Sequence, residues 1–483
     1  MSLSSLFCTT AVVLASTVAL SYLFVFRIFR IVLRALGEHL RRRTATKREL
    51  VLSELAEGKG ILVGFFHPFC NAGGGGERVL WAAIRATQKK HPNVMCIVYT
   101  GDQDVDKATI LSRVEHRFDI HLDPTRVVFA FLSTRYWVAA STWPRFTLIG
   151  QSLGSLILAW DAFRLLVPDI FIDTMGYAFT LPFAKLLFDI PTGAYVHYPT
   201  ISTDMLSALP SSPTLHTRGK RLYWQLFAQL YTRSGNSIDT ILCNSSWTAS
   251  HLRTLWPSRA TTITVVFPPV AVEALAAAIP LHRNTNRDRV ILCIAQFRAE
   301  KKHDLIIDAF ALYCAMHPED AETRLVLIGS VRHSEDATRV YDLRLLAHGK
   351  GVKDRVVFVC DASWPEILEW LGRAWIGVNA MWNEHFGIGV VEYQAAGLLS
   401  VVHNSGGPKL DIVVDVDGGA TGCHAETVEE FARGFEWGLN LPPKEVDEMR
   451  CRARASAGRF TEAVFAEAWL VGLGSLLEMA RKR

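Results

Sequence analysis

Glu384-His385-Phe386-Gly387-Ile388-Gly389-Val390-Val391-Glu392 is the stretch that decides the fold. It sets two carboxylates, with seven residues between them, around a glycine-spaced turn. One buried-strand run (Ala374 to Ala380) precedes it and another (Leu398 to His403) follows. In a parallel α/β sheet such a turn opens a helix whose free N–H groups point into the ligand crevice. The spacing predicts a helix starting near Gly387 or Ile388, with Glu392 about one turn in and Glu384 just ahead of it. Gly387 and Gly389 let a phosphate come close to the backbone. One carboxylate can accept from ribose hydroxyls and the other from sugar hydroxyls, the outline of a nucleotide-sugar site. Glutamates also sit at helix N-termini without any ligand, so spacing alone leaves both readings open.

The same alternation runs outward in both directions. Upstream, strand-like runs lie at Ile61–Phe66, Val94–Tyr99, Val127–Leu132, Ile170–Asp173, Ala194–Tyr198 and Thr240–Asn244, with helical stretches between them. Phe267-Pro268-Pro269 and a polar run at Asn284-Thr285-Asn286-Arg287-Asp288-Arg289 interrupt the pattern. It restarts at Val290–Ile294, Leu325–Ile328, Val356–Val359, Ile376–Ala380 and Leu398–Val402. Parallel βαβ units, twice over, are expected. The expected segments are 1–48, a membrane anchor with a basic flank, and 49–275, a first Rossmann-like domain. A second Rossmann-like domain would occupy 276–450 and a C-terminal helix 451–483. Residues from Pro443 to Arg483 read as helix throughout.

At 483 residues the chain exceeds one ordinary domain. Hydrophobic residues make up 50% and charged residues 20%, which excludes disorder. The net charge of +4 hides an asymmetry. Arg27 to Arg48 holds eight basic residues and one Glu, a local +7 that leaves the remainder slightly acidic. A nucleic-acid surface spread over the body is therefore excluded. Nine scattered cysteines without a Cys-x-x-Cys pair favour reduced thiols over a disulfide framework or a zinc site.

Residues 1–26 carry no charge, and Leu3 to Phe26 is an almost unbroken apolar run. As a helix it would extend roughly 36 Å, enough for a bilayer core of about 30 Å. The basic residues follow the run rather than precede it, unlike a cleaved signal peptide. An uncleaved anchor with the N-terminus lumenal and the body cytosolic is expected. Arg27 to Leu40 alternates Arg with apolar residues at helical spacing and could lie along an anionic membrane surface. Phe146 to Phe163, uncharged until Asp161, reads as a monotopic patch or a core helix.

Four further constellations carry chemistry. Gly73-Gly74-Gly75-Gly76 follows a strand and opens a helix, a phosphate-cradling arrangement or a flexible turn. Gln296-Phe297-Arg298-Ala299-Glu300-Lys301-Lys302-His303 follows another strand and sets cations where they could meet a diphosphate, or forms a basic surface loop. Tyr195-Val196-His197-Tyr198-Pro199 puts a histidine at a strand end, where a structural role is commoner than a catalytic one. Asn244-Ser245-Ser246 reads as a sequon, though Ser245 or Ser246 as a helix cap is the simpler role. No His/Cys/Asp cluster with metal-ligand spacing is apparent, so no metal or other cofactor is expected.

Glu384 and Glu392, followed by Ala395-Ala396-Gly397, resemble the donor-site signature of retaining glycosyltransferases of the GT-B fold, family 4. Met381-Trp382-Asn383 and the run His403-Asn404-Ser405-Gly406-Gly407-Pro408-Lys409-Leu410-Asp411-Ile412-Val413 extend the resemblance to the α-1,2-mannosyltransferases of the dolichol pathway. It spans most of the chain from about Gly60. It implies an α/β GT-B fold, two Rossmann-like domains facing a cleft, behind an N-terminal transmembrane helix. It implies GDP-mannose as donor and a dolichol-diphosphate oligosaccharide as acceptor, with the fourth and fifth mannoses added at the endoplasmic reticulum membrane. Other mannosyltransferases of the pathway are implied as partners, and no nucleic acid.

The resemblance also assigns roles. Glu384, His197, Arg298 and Lys301 would be catalytic. Glu392, Phe386, Gly387, Ile388, Gly389, Gly75 and Gly76 would bind donor, and Gly74 and Asp204 acceptor. Basic side chains and helix N-termini would replace a metal. The chain has Gln296 where many members have an arginine, with Arg298 two positions on. Another family 4 transferase on a lipid-linked acceptor, or a catalytically silent membrane platform, shares the same signature.

Overall fold

β-Branched and aromatic runs pair into two sheets in the computed structural model, which describes residues 3–55, 60–202, 205, 215–281, 287–331 and 334–483. The first sheet contains β1 (Ile61–Phe66), β2 (Val94–Thr100), β3 (Val127–Phe131), β4 (Ile170–Asp173), β5 (Thr192–Val196), β6 (Thr240–Cys243) and β7 (Ile263–Val265), ordered β3-β2-β1-β4-β5-β6-β7. The second contains β8 (Val290–Ile294), β9 (Arg324–Gly329), β10 (Val356–Cys360), β11 (Ile376–Asn379), β12 (Leu399–His403) and β13 (Gly422–Ala425), ordered β10-β9-β8-β11-β12-β13. Both are parallel sheets; Val63 of β1, for example, faces Cys96 of β2 and Ile170 of β4. β1 and β2 are buried at every position, as strands covered on both faces must be. The strand order reverses between β1 and β4 and between β8 and β11. Ligands of open α/β sheets bind at the carboxyl ends of strands beside such reversals.

The helices up to the sheet change are α1 (Leu3–Leu52), α2 (Gly75–Lys90), α3 (Lys107–Phe118), α4 (Thr147–Leu165), α5 (Thr180–Phe188), α6 (Leu215–Gly235), α7 (Ser246–Leu255) and α8 (Val272–Ala278). Beyond β8 they are α9 (His303–Met316), α10 (Ser334–Gly349), α11 (Trp364–Arg373), α12 (Ile388–Ala396), α13 (Val428–Asn440), α14 (Pro443–Ala457) and α15 (Glu462–Arg481). Contacts divide the chain into two compact units. Unit 1 is Met1–Ile241, Thr254–Thr262 and Leu470–Arg483, and unit 2 is Leu242–Arg253 and Ile263–Trp469. In unit 1, Phe163 of α4 packs edge-on against Phe171 of β4 at 5.1 Å. In unit 2, separate apolar clusters cover the two faces of the second sheet, one around Phe310 and Phe431, the other around Phe386 and Tyr393.

Several elements differ from expectation. β5 begins at Thr192 rather than Ala194 and ends before His197, because Pro199 cannot donate to a ladder. β7 has three residues and β13 reads Gly-Cys-His-Ala, too short or too poor in β-formers to stand out. The C-terminal helix is two helices, broken at Gly458–Phe460, and Thr461 pairs with Val270 at the break. α15 is long and apolar enough to cross a membrane by length and composition, yet Phe465, Trp469, Leu473, Leu476 and Leu477 are buried.

α1 is one continuous helix of 50 residues, about 75 Å long. Its basic half divides: Arg27 and Arg30 are exposed together with Phe29, Ile31, Val32 and Leu36, while the turns that follow are seated on the rest of unit 1. Arg34 pairs with Asp189 at 3.2 Å, Arg41 donates to the Phe188 carbonyl at 2.9 Å and Arg48 pairs with Asp169 at 2.8 Å. These arginines recur every seven residues, which puts them on one helix face. Gly37 allows the approach, since a Cβ there would sit 2.0 Å from the Leu187 carbonyl oxygen. α4 buries Gly150, Gly154, Leu158, Ala159, Ala162 and Phe163, so it packs within unit 1 along one face.

Candidate active site

In unit 2 the site begins where β11 ends. Gly387 caps α12 with φ of 108°, a conformation costly for any residue with a Cβ. Val390 and Val391 donate back to the Gly387 carbonyl at 3.0 and 3.3 Å, so the amides of Ile388 and Gly389 open the helix. A Cβ at Gly389 would meet only the Ile294 carbonyl oxygen, at an ordinary 3.5 Å. Protein packing therefore does not demand glycine at 389, whereas close approach of a ligand would. Gly406 and Gly407 are the opposite case. A Cβ at Gly406 would stand 2.2 Å from the Glu384 carbonyl oxygen, and one at Gly407 2.5 Å from the Phe386 Cα. Gly407 N–H donates to that Glu384 carbonyl at 2.8 Å, and Asn383 N–H to Ser405 Oγ at 2.7 Å. The 405–407 turn thus clamps the loop carrying Glu384.

The Glu384 carboxylate faces Lys301, with Nζ to Oε2 at 2.5 Å and side-chain exposures of 15% and 21%. Lys301 Nζ also lies 3.1 Å from Met381 Sδ. Arg298 stands at the start of the same short turn, exposed. Glu392 is half-buried on α12. The Phe386 ring is buried between Phe267 and Phe460 at 5.7 and 5.3 Å, so only its backbone is available to a ligand. His385 stacks on Trp247 at 5.4 Å, and burial lowers its pKa.

The unit 1 residues gather at the carboxyl ends of β1, β4 and β5. Gly74 caps α2, its N–H donating to Glu77 Oε2 at 2.7 Å. A Cβ at Gly76 would stand 3.5 Å from His197 Nε2, so the first turn of α2, which begins at Gly75, faces His197. His197 lines a cavity of about 300 Å³ with Met175, Gly176, Tyr198 and the α4 residues Gln151, Ser152 and Ser155. Asp204 lies outside the described residues.

Several site residues escaped the sequence reading. His67, immediately after β1, is buried with Nδ1 2.8 Å from Thr174 Oγ1. Burial, reinforced by His197, pushes its pKa down to about 3. Asp173 ends β4, and burial pushes its pKa up to about 7 although Met175 and Gly176 N–H groups donate to it. Tyr393 accepts from Ile294 N–H at 2.7 Å and so fixes the end of β8; Gly377 leaves room for its ring. A polar residue at the last position of a buried run was the available signal for His67 and Asp173. Ser245 caps α7, its Oγ accepting from Thr248 N–H at 3.1 Å, and Asp411 accepts from Ser246 N–H at 2.9 Å. Asn244 is buried, which disfavours its modification.

The metal-free expectation overlooks two runs, Asp102-Gln103-Asp104-Val105-Asp106 and Asp415-Val416-Asp417. Asp102 is engaged by Arg135 and Thr100, and Asp106 caps α3. Asp415 and Asp417 are exposed beside the tight turn that pairs Val416 with Gly419. Among the described residues, no three His, Cys, Asp or Glu side chains converge as metal ligands would.

Comparison with known proteins adds identity to this geometry. Residues 60–256 match the family model described as ALG11 mannosyltransferase N-terminus, and residues 282–456 the model described as Glycosyl transferases group 1. A Neurospora crassa protein named GDP-Man:Man(3)GlcNAc(2)-PP-Dol alpha-1,2-mannosyltransferase is 59% identical over 85% of this chain and 79% of its own length. The Mus musculus protein of that name is 44% identical over 91% of each chain. Among solved structures, a UDP-forming trehalose-phosphate synthase from Burkholderia xenovorans superposes with a TM-score of 0.62 at 13% identity, over 86% of this chain and 99% of that one. A sucrose-phosphate synthase from Thermosynechococcus elongatus gives 0.62 at 15%, over 86% and 98%. At that identity they share the GT-B fold alone.

Proposed function

Because the chain belongs to the family of GDP-Man:Man(3)GlcNAc(2)-PP-Dol alpha-1,2-mannosyltransferases, we propose that it carries out that transfer. It moves mannose from GDP-mannose to a dolichol-diphosphate oligosaccharide, adding the fourth and fifth mannoses in α-1,2 linkage with retention. The observation that carries the residue assignment is the Lys301–Glu384 pair beside the open amides of Ile388 and Gly389.

In this reading Ile388 and Gly389 N–H groups hold donor phosphate at the α12 N-terminus. Glu392 accepts from the ribose. Arg298 and Lys301 neutralise the diphosphate as charge develops on it, in place of a metal. Glu384 and His197 orient the transferred mannose. Gly75 and Gly76 face the donor diphosphate, and Gly74 faces the acceptor. The anomeric C–O bond to phosphate breaks while the acceptor oxygen bonds to the same face of C1. The acceptor proton passes to the leaving phosphate oxygen, and GDP departs. A trapped covalent mannosyl-enzyme would contradict this route.

The body is assigned to the cytosolic face of the endoplasmic reticulum membrane, held by the apolar run that opens α1, with the N-terminus lumenal. Donor competition tests the reading. Unlabelled GDP-mannose should suppress labelled transfer while UDP-glucose and UDP-N-acetylglucosamine do not; suppression by a UDP-sugar instead would assign a different transfer.

A further inference from the structure

Trp382 stands two residues ahead of Glu384, in the loop that leaves β11, and is 59% exposed. Trp81, Trp256 and Trp469, by contrast, are fully buried. The backbone on either side of Trp382 is held. Met381 N–H donates to Asn379 Oδ1 at 3.0 Å, and Met381 Sδ lies 3.1 Å from Lys301 Nζ. Asn383 N–H donates to Ser405 Oγ at 2.7 Å, and that Oγ lies 2.9 Å from His403 Nδ1. Asn383 itself sits at φ of 53°, a left-handed conformation uncommon outside glycine. A loop pinned on both sides keeps the indole in solvent, and among the described residues the ring has neither a hydrogen-bond nor an aromatic partner.

We propose that Trp382 is a stacking platform for a sugar ring of the acceptor, the pyranose that abuts the transferred hexose. The inference rests on the activity proposed above, which puts the transferred mannose at Glu384, the diphosphate at Lys301 and the α12 amides, and the ribose at Glu392. Trp382 lies at the sugar end of that order, just ahead of Glu384, and the sulfur of the adjoining Met381 meets the Lys301 ammonium. The base would lie at the other end, past the ribose. A sugar gripped by Glu384, whose side chain is only 15% exposed, turns its outer side to the acceptor. An exposed indole suits that outer position, with an apolar face for the C–H groups of a ring and an N–H at its rim for one hydroxyl. Met381 and Asn383 are half-buried, so the exposed apolar surface is one side chain wide, too small for a protein partner.

Stacking reads the face of a ring rather than its linkage or its pattern of hydroxyls. The proposed reaction adds two mannoses in succession, so the sugar beside the acceptor hydroxyl differs between the first transfer and the second. A platform of this kind accommodates both. A cradle of hydrogen bonds built for one of them would discriminate against the other, because its buried polar groups would be left unpaired.

The test titrates free trimannosyl-chitobiose into the full chain, as wild type, Trp382→Phe and Trp382→Ala, with binding read by saturation-transfer NMR and GDP affinity measured separately. Trp382→Ala should weaken glycan binding several-fold, and Trp382→Phe should hold it within about twofold, since a second aromatic face replaces the first. GDP affinity should be equal in all three, which also reports an intact unit 2. Equal glycan affinity in the wild type and Trp382→Ala, or no measurable binding by the wild type, would overturn the platform. Loss of GDP affinity in Trp382→Ala would put the stack on the nucleotide and overturn it as well. Transfer is not read in this assay: mannosyl transfer with glycan binding indifferent to Trp382 would overturn the platform alone, and Trp382-dependent binding without transfer the activity alone.

Discussion

Lys301 Nζ lies 2.5 Å from Glu384 Oε2, so two residues 83 positions apart act as one charge-assisted unit in unit 2. Groups that act as a unit lose function together. Lys301→Ala and Glu384→Ala should each lower kcat about 10²–10³-fold, the range for removing one electrostatic stabiliser. The double variant should lose little more than either single one. Fully additive losses in steady-state kinetics would mean that the pair is not a unit.

Gly389→Ala separates ligand approach from packing. The added methyl meets only an ordinary contact at 3.5 Å, and alanine favours helix, so thermal stability should hold within about 0.5 kcal/mol. The KM for GDP-mannose should rise because the methyl blocks the amide cradle. Gly407→Ala is the converse, since its Cβ would fall 2.5 Å from the Phe386 Cα. It should destabilise unit 2 by about 1–3 kcal/mol by overpacking. An unchanged KM in Gly389→Ala would remove the phosphate assignment at α12.

Gly37 makes the seat of α1 testable. Gly37→Leu would drive a side chain into the Leu187 carbonyl, 2.0 Å from the Cβ position. Loss of about 1–3 kcal/mol by thermal unfolding is expected, whereas Arg42→Ala, exposed and only loosely paired at 3.9 Å with Glu38, should change little. Equal effects would mean that α1 is not seated on α5.

Buried histidines set an acid limit. Burial lowers His67 from the ordinary 6.5 to about 3, and His303 to about 4. The unfolded chain then binds more protons between those values and 6.5, so each histidine removes stability as pH falls below 6.5. The slope is at most about 1.4 kcal/mol per pH unit for each. Asp173, raised from 3.8 to about 7, acts in the opposite sense between 3.8 and 7. The informative quantity is therefore the difference between the wild type and His67→Gln/His303→Gln. The variant should lose less stability from pH 7 to pH 5, and an unchanged difference would place both histidines in contact with water.

Metal removal gives a further check. With Lys301, Arg298 and the α12 amides as the cationic elements, EDTA should leave transfer unchanged. Loss on chelation, restored by Mn²⁺, would return attention to Asp415 and Asp417.

The sheets were legible because parallel strands buried on both faces read as continuous apolar runs, as at Ile61–Phe66 and Val290–Ile294. The start of α12 was legible from Gly387 for the same reason it forms: only glycine takes φ of 108° cheaply. Long-range pairing was not. Nothing local couples Lys301 to Glu384, Ser405 to Asn383, or Tyr393 to Ile294, since each bond depends on which strand ends the topology brings together. The seat of α1 was not legible either, because charge alone does not reveal that Arg34, Arg41 and Arg48 share a face with partners at Asp189, Phe188 and Asp169.

Mass spectrometry of a lipid-linked trimannosyl-chitobiose acceptor, incubated with the purified chain and GDP-mannose, tests the central claim most directly. The account predicts a gain of two hexoses, removable by an α-1,2-specific mannosidase and absent with Glu384→Ala. No gain from GDP-mannose, with transfer from a UDP-sugar instead, would contradict it.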